Sequence, residues 1–307
     1  MAEHNHNHTH GRGRHRAQLD YSAAFAIGIA LNTVFVIVQA ASGVLANSMA
    51  LLADAAHNLS DVLSLLMAWA ASMLVRRAPT PRYTYGLRSS SILAALGNAV
   101  VLLLAVGAIA WEAIHRLASP QHVAGTPMIV VALVGIAING GTAWLFRAGR
   151  DSDLNVRAAF VHMLADAAIS LGVVVSGVSI VLLGWLWIDP LLSLVIATII
   201  VWGTWGVLGD AMNLALHAVP FAIDPSAVRR YLEQLEGVSA IHDLHVWAMS
   251  TTETALTCHL VMPQTPAGDA FLAQVAKELH DRFAIAHATL QIERGDHECA
   301  LEPDHVV

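Results

Sequence analysis

Two histidine and aspartate pairs with the same spacing stand out in this sequence: His57 with Asp61, and His162 with Asp166. Each pair lies inside a long apolar stretch, where an aspartate at the centre of a membrane-spanning helix costs roughly 2.5 to 3.5 kcal/mol on insertion scales. Residues four positions apart lie on the same face of an α-helix. If their helices pack together, the two pairs therefore direct four nitrogen and oxygen donors into a common volume.

Two imidazoles and two carboxylates match the ligand preferences of Zn²⁺, which binds such donors at about 2.0 to 2.2 Å in four-coordinate sites. Co²⁺ and Cd²⁺ suit the same donors, whereas two imidazoles disfavour the oxygen-preferring ions Mg²⁺, Ca²⁺ and Mn²⁺. Metal binding requires neutral histidine and ionised aspartate, so an empty site takes up protons instead. The pairs thus predict a site where metal and H⁺ compete.

The alternative interpretation of these pairs is structural, as polar residues that hydrogen-bond to one another across a helix bundle. Two pairs at similar depth favour metal ligands over this packing role. Asp54 lies two turns from Asp61 on nearly the same helix face. It is either a partner that orients His57 or a polar residue near the outer end of its helix.

The apolar stretches around the pairs place most of the chain in a membrane. Hydrophobic residues make up 56% of the chain and charged residues only 13%, against the ~25% charged residues usual in soluble domains. About 20 apolar residues are needed for one crossing. Six segments reach that length, and we predict a membrane all-α bundle of six transmembrane helices: residues 22–45, 49–75, 89–114, 126–147, 157–183 and 186–209.

Arginine placement predicts which helix ends face the cytoplasm, since short cytoplasmic loops are enriched in Lys and Arg. The connections after the first and fifth segments have no positive residue, and the one after the third has only Arg116. We therefore expect a multi-pass protein of the inner (plasma) membrane with both termini in the cytoplasm. The arginines on the cytoplasmic side are Arg12, Arg14, Arg16, Arg76, Arg77, Arg82, Arg88, Arg147, Arg150 and Arg157.

After about Asp210 the hydropathy breaks, and residues 218–307 have the charge and periodicity of a cytoplasmic α+β domain. Both cysteines, Cys258 and Cys299, fall in this region, where thiols stay reduced, so a disulfide is not expected and a thiolate ligand is available. The predicted order is αββαβ, similar to metallochaperones, with helix, strand, strand, helix and strand at residues 226–236, 238–249, 254–263, 268–284 and 287–294.

Four motifs resemble the cation diffusion facilitator family of metal/proton antiporters: LLADAAHNLSD at 51–61, HMLAD at 162–166, IDP at 188–190 and HDLHVW at 242–247. The resemblance covers nearly the whole chain. It implies a homodimer with six helices per protomer that moves Zn²⁺ out of the cytoplasm against H⁺ by alternating access. It also implies that the two histidine and aspartate pairs form the transport site, with His57 favouring zinc over manganese.

The same resemblance implies a second metal site in the cytoplasmic domain. His242, His259 and Glu293, one on each predicted strand, fall on the family's metal positions at the dimer interface. Some relatives have an Asp or His near the end of the last strand, where Gln291 and Glu293 stand here. The domain is therefore expected to bind Zn²⁺, with a structural or regulatory role, and to support dimerisation.

Five further residues are candidate ligands in this domain. Asp243, His245 and His287 are alternative or additional donors, although packing within the strand is the favoured interpretation of His245. Beyond the last strand, His297 and Cys299 are candidates to complete a mixed nitrogen and sulfur site, as tail cysteines do in similar transporters.

Three parts follow from these observations: a flexible His-rich tail (1–18), a six-helix domain (19–210) and a cytoplasmic domain (211–307). The tail alternates histidine with Asn and Thr, is too short and polar to fold alone, and is expected to collect Zn²⁺ weakly. Its histidines are His4, His6, His8, His10 and His15.

A second class of function is a membrane-bound metal sensor without net transport, which would use the same ligands for occupancy alone. An enzyme is not expected, because there is no His-Glu-x-x-His run and no positioned general base beside either pair. No basic stripe suggests nucleic acid. The expected partners are Zn²⁺, protons, the lipid bilayer and a second copy of the chain.

Overall fold

The computed structural model describes residues 15–75, 77–147, 154–264, 268–297 and 299–301. Six long helices come first in the described chain: α1 (His15–Ala46), α2 (Met49–Val75), α3 (Ser90–Ala118), α4 (Gly125–Phe146), α5 (Leu154–Leu183) and α6 (Ile188–Ala215). The remaining elements are α7 (Pro225–Glu233), β1 (Ala240–Ala248), β2 (Thr254–Val261), α8 (Asp269–Phe283) and β3 (Ile285–Glu293). The helical bundle and the αββαβ order are both confirmed, with ends that differ from the predicted ones by up to seven residues, at the start of α1.

Among the described residues, four helices are long and apolar enough to cross a membrane: Ser90–Ala118, Gly125–Leu145, Phe160–Leu183 and Ile188–Ala215. Their outer faces carry large apolar side chains, and Trp111, Trp144 and Trp202 are 68%, 70% and 83% exposed. Apolar surface on this scale is unusual in soluble monomers. It is the surface expected of helices surrounded by lipid.

Two compact units divide the described chain. One contains Leu102–Val201 and the residues up to Leu65, and the other contains Leu66–Val101 and the residues from Trp202 onward. In the first unit, five helices contribute buried side chains to one apolar core. Its members include Leu51, Val106, Met128, Val173 and Ile196.

The closest helix packing in the first unit is between α4 and α5, where glycines face each other. A Cβ atom at Gly125 would lie 2.8 Å from the carbonyl oxygen of Gly177, and one at Gly177 would lie 3.2 Å from that of Gly125. Only a residue without a side chain allows the two backbones to approach this closely, as is common between helices in membranes. This contact positions α5, which carries His162 and Asp166.

The N-terminus of α2 is held by a carboxylate from the start of α6. Asp189, which is fully buried, accepts hydrogen bonds from Ser48 Oγ (2.5 Å), Met49 N (2.7 Å) and Ala50 N (3.4 Å). The first amides of a helix lack partners within the helix and favour a negative charge. Asp189 therefore provides hydrogen-bond acceptors for the unpaired amides at the start of α2, the helix that carries His57 and Asp61.

The second unit contains a three-stranded sheet with strand order β1-β2-β3. β1 and β2 form an antiparallel pair, whereas β2 and β3 are parallel and are connected through α8. In this register His242 lies directly opposite His259, and Glu293 lies opposite Val261. The sheet thus brings the three predicted ligands to one region.

A β-bulge interrupts β1 between His242 and His245. Within it, Asp243 adopts a left-handed conformation with φ of 50°, which aspartate tolerates better than most residues. Bulges re-aim side chains out of the regular alternation of a strand. Here the Asp243 carboxylate contacts His245 of the same strand and His259 of β2.

We predict that Asp189→Asn destabilises the helical unit. The change removes the charge and one acceptor at the start of α2, and each hydrogen bond to a charged group contributes about 1.5 to 3 kcal/mol. The free energy of unfolding should fall by roughly 2 to 4 kcal/mol, measured by thermal or denaturant unfolding of the detergent-solubilised protein. The matched control is Asp210→Asn, an exposed aspartate of the same helix. Equal stability of the two variants would contradict the assignment.

Candidate metal centres

The structure brings all four histidine and aspartate side chains of α2 and α5 together. His57 Nε2 lies 3.1 Å from Asp166 Oδ1, and His162 Nε2 lies 3.3 Å from Asp61 Oδ2. His162 Nε2 is also 3.7 Å from Asp166 Oδ2, on its own helix. Each histidine therefore pairs with the aspartate of the opposite helix, so the cluster joins α2 to α5.

Some of these spacings are close to those of a tetrahedral metal site. Ligand atoms at zinc bond lengths of 2.0 to 2.2 Å are separated from one another by about 3.3 to 3.6 Å, and the three contacts above measure 3.1, 3.3 and 3.7 Å. Donor atoms of His57, Asp61 and Asp166 all lie within 4.8 Å of one another, whereas His162 contacts the two aspartates without joining this group of three. Three of the four predicted ligands are therefore placed to share an ion, and His162 has to move to join them.

Exposure is uneven across the cluster. The Asp166 side chain is 2% exposed and that of His57 is 19% exposed, whereas those of Asp61 and His162 are 36% and 43% exposed. One side of the cluster is thus enclosed by protein and the other is open.

A second polar layer borders the cluster and was not predicted as a unit from sequence. Asp54 is fully buried and accepts hydrogen bonds from Gln39 Nε2 (2.6 Å) and Ser170 Oγ (3.2 Å). Gln39 Oε1 in turn accepts a hydrogen bond from Asn58 Nδ2 at 2.9 Å. Among the described residues, Asp54 thus accepts its hydrogen bonds from side chains of α1 and α5 and not from His57. Asp54 was a candidate from sequence, whereas Gln39, a glutamine within the apolar α1, is the signal that could have shown its partner.

The three-stranded sheet carries the second cluster. His242 Nε2 and His259 Nδ1 lie 3.2 Å apart. The two carboxylate oxygens of Glu293 lie 3.2 Å from His242 Nε2 and 3.0 Å from His259 Nδ1. Cys299 Sγ approaches His259 Nδ1 at 3.7 Å. Ligand atoms of these four residues all lie within 4.8 Å of one another, and both histidines are buried.

Glu293 and the neighbouring Cys258 differ in charge state. Burial acts to raise the pKa of Glu293, but the hydrogen bond from Gln291 and the neighbouring imidazoles lower it below its usual value. Glu293 is therefore ionised at neutral pH. Burial raises the pKa of the Cys258 thiol to about 12, so this cysteine stays protonated and unreactive.

The remaining candidates occupy different positions. His245 Nε2 lies 2.9 Å from Asp243 Oδ1, and His259 Nε2 lies 3.4 Å from Asp243 Oδ2. Asp243 thus contacts two histidines but is outside the group of four ligand atoms. His287 is not brought into this group either, because its ring packs edge-on against Tyr85 with centroids 5.6 Å apart.

Two other predictions concern the ends of the chain. His297 lies in the same loop as Cys299, near Glu293, but is not among the four clustered ligands. The N-terminal histidines His4, His6, His8 and His10 lie outside the described residues, and α1 already includes His15.

Both halves of the chain match known protein families. Residues 25–214 match the model described as the cation efflux transmembrane domain, and residues 222–295 match the cation efflux protein, cytoplasmic domain. The first match covers the helices that carry the α2/α5 cluster. The second covers the sheet that carries His242, His259 and Glu293.

Curated relatives cover most of the chain. A protein from Bacillus velezensis named cadmium, cobalt and zinc/H(+)-K(+) antiporter is 34% identical over 276 residues, which is 88% of each chain. The zinc transporter ZitB of Escherichia coli is 36% identical over 84% of this chain and 83% of its own. The metal cation efflux system protein CzcD of Cupriavidus metallidurans is 34% identical over 91% and 89%.

The family matches cover both the helices and the sheet, and the relatives align with this chain along most of their length. The chain belongs to the cation efflux family of membrane transporters, the cation diffusion facilitators.

Proposed function

We propose that this protein exports a divalent cation, Zn²⁺ foremost, from the cytoplasm in exchange for protons. The transport site consists of His57, Asp61, His162 and Asp166. The observation that carries the proposal is the crossed pairing of these residues between α2 and α5, with separations of 3.1 and 3.3 Å. A donor set divided between two helices allows a relative movement of those helices to open the site to one side and then to the other.

The crossed pairs supply the competition between metal and proton. Zinc binds the lone pairs of neutral imidazole and ionised carboxylate, and the same lone pairs accept protons when the ion leaves. An imidazolium beside a carboxylate replaces the metal charge in part, so the empty site does not leave bare carboxylates in the apolar bundle. Proton uptake therefore accompanies metal release, and a proton gradient can drive metal movement.

The names of the relatives point in the same direction. Those relatives are named for zinc, cadmium and cobalt, and one is named as an H⁺-K⁺ antiporter. Two imidazole ligands favour Zn²⁺, Co²⁺ and Cd²⁺ over Mn²⁺. We therefore propose Zn²⁺ as the main cargo, with Co²⁺ and Cd²⁺ as further cargoes carried by the same four residues.

We also propose an assembly and an orientation. The chain forms a homodimer in the inner membrane, with both termini in the cytoplasm. The arginine distribution supports this orientation, and so does the match of residues 222–295 to a domain described as cytoplasmic. In this arrangement the sheet cluster samples the metal on the side from which the ion is exported.

The cytoplasmic cluster favours a second candidate, a membrane-bound metal sensor in which both centres report occupancy without net flux. The two candidates differ in one observable. A transporter moves zinc across a sealed membrane when an acidic lumen supplies protons, whereas a sensor binds zinc and moves none. Flux measurements in proteoliposomes therefore separate them directly.

We predict that Asp61→Ala reduces gradient-driven zinc uptake to the background of empty liposomes. The change removes one of the four donors and the partner of His162, whereas the loss of packing volume at a half-exposed position is modest. A zinc-sensitive dye inside proteoliposomes with an acidic lumen measures the uptake. Asp210→Ala, which alters an exposed aspartate of α6, should retain normal uptake. Undiminished uptake by Asp61→Ala would remove these residues from the transport site, and binding without uptake in the native chain would favour the sensor.

We predict that His57→Asp broadens the range of transported metals. Replacing an imidazole by a carboxylate makes the donor set harder, which favours Mn²⁺ relative to Zn²⁺. The measurement is the ratio of manganese to zinc uptake in the same proteoliposomes. His217→Asp, at an exposed position beyond α6, is the control that leaves the ratio unchanged. An unaltered ratio in His57→Asp would place selectivity elsewhere in the molecule.

A further inference from the structure

The loop between α2 and α3 is strongly basic. Residues 76–89 contain four arginines and two tyrosines but no aspartate or glutamate. Both flanking helices lie within the matched transmembrane domain, so the loop emerges where a bilayer meets water. The proposed function assigns no task to this loop.

We propose that the loop binds the phosphate group of an anionic phospholipid, with Arg77 and Arg82 as the phosphate ligands and Tyr83 at the level of the headgroups. The planar guanidinium group of arginine matches phosphate oxygens with paired hydrogen bonds. Basic segments next to a membrane-spanning helix attract anionic lipids. The proposal goes beyond metal transport, because lipid binding requires neither an ion in the helical cluster nor flux.

The guanidinium groups of Arg77 and Arg82 are available to a ligand. Both residues are exposed. In the part of the chain that the structure describes, the salt bridge of this loop joins Arg88 to Glu253, and neither Arg77 nor Arg82 contacts a carboxylate. These two arginines therefore carry a positive charge that no described acidic side chain offsets.

Contacts within the loop hold its backbone in place. Thr80 N and Gly86 N donate to the carbonyl oxygen of Tyr83 at 3.0 and 2.8 Å, and Tyr83 N donates to Thr80 Oγ1 at 3.1 Å. Gly86 has φ of 72°, and a Cβ atom there would lie 3.4 Å from the carbonyl oxygen of Arg77. The two ends of the loop thus meet. A loop that is ordered beforehand loses little conformational entropy when it binds a ligand.

Tyr83 gives the loop a side chain that suits a membrane interface. It is 51% exposed, and the Arg82 guanidinium carbon lies 6.0 Å from its ring centroid. Tyrosine is enriched where membrane proteins reach the headgroups, because its ring is apolar and its hydroxyl is polar. Tyr85 differs, since its ring packs against His287. An arginine beside an exposed tyrosine fits a lipid phosphate, with acyl chains next to it, better than a phosphate ion in water.

The test measures lipid binding to the full-length, delipidated protein in detergent and metal-free buffer. Mass spectrometry of the intact complex counts the molecules of phosphatidylglycerol or phosphatidylcholine bound at each lipid concentration. Each arginine at an anionic membrane surface strengthens association about five-fold. The double variant Arg77→Gln/Arg82→Gln should therefore bind phosphatidylglycerol about twenty-fold more weakly than the native chain, with unchanged affinity for phosphatidylcholine. Equal affinity of the native chain for both lipids, or an unchanged affinity in the variant, would overturn the proposal.

The matched control is Arg294→Gln, which alters an exposed arginine beyond β3 and should keep the native affinity for phosphatidylglycerol. A loss as large as that of the double variant would show that net charge, and not this loop, attracts the lipid. Inorganic phosphate identifies the source of the phosphate group. Millimolar phosphate should leave phosphatidylglycerol bound, whereas its displacement would assign the loop to free phosphate and contradict a lipid site.

Salt dependence gives a second measurement, which uses the unmodified chain. The screening length falls from about 10 Å at 0.1 M salt to about 3 Å at 1 M, so the affinity for phosphatidylglycerol should fall across this range while that for phosphatidylcholine stays constant. A preference for phosphatidylglycerol that does not respond to salt would refute a role for the arginines. The Asp61→Ala chain should keep lipid binding while losing zinc uptake, so failure of this inference and failure of the proposed function are distinguishable.

Discussion

The cost of holding ionisable groups inside an apolar helix bundle is the constraint on which the rest of this structure depends. Each buried carboxylate in the described helices is met by groups from another helix: Asp166 by His57, Asp54 by Gln39, and Asp189 by the amides that begin α2. Apolar packing tolerates small rotations of a helix about its own axis, but directional polar contacts do not. The polar contacts therefore fix which face each helix turns inward, and they place the residues proposed as metal ligands on that face.

This constraint makes close helix packing part of the function. The Gly125 and Gly177 contact brings α4 against α5, and the Asp189 contact holds the start of α2. Between these two fixed points, α2 and α5 present His57, Asp61, His162 and Asp166 to each other. Packing that differed by one ångström would stretch the crossed pairs beyond contact and would leave charges without partners. The glycines and the buried aspartate thus support the same site without touching it.

The sequence predicted the elements of the helical domain and the four side chains that meet between α2 and α5, because spacing of four on a helix determines a shared face. It did not predict that each histidine pairs with the aspartate of the opposite helix, since that depends on the depth and rotation at which α2 meets α5. The bulge at Asp243 is likewise absent from any local pattern in HDLHVW. The position of Cys299 beside His259 depends on the path of the segment after β3, which tertiary contacts determine. Local periodicity therefore indicates which residues share a face of an element, and tertiary packing determines which of those residues come into contact.

The two centres differ in chemistry in a way that suits two tasks. The helical cluster offers only nitrogen and oxygen donors, all of which take up protons readily, and its His162 side is open. Such a site releases metal when protons arrive. The sheet cluster adds a sulfur donor to two buried histidines, and thiolate ligands hold zinc-class ions more tightly. Under the proposed function, a site that retains its ion does not turn over with each transport cycle. The two donor sets therefore differ in the way that the proposal requires of an ion in transit and an ion that is retained.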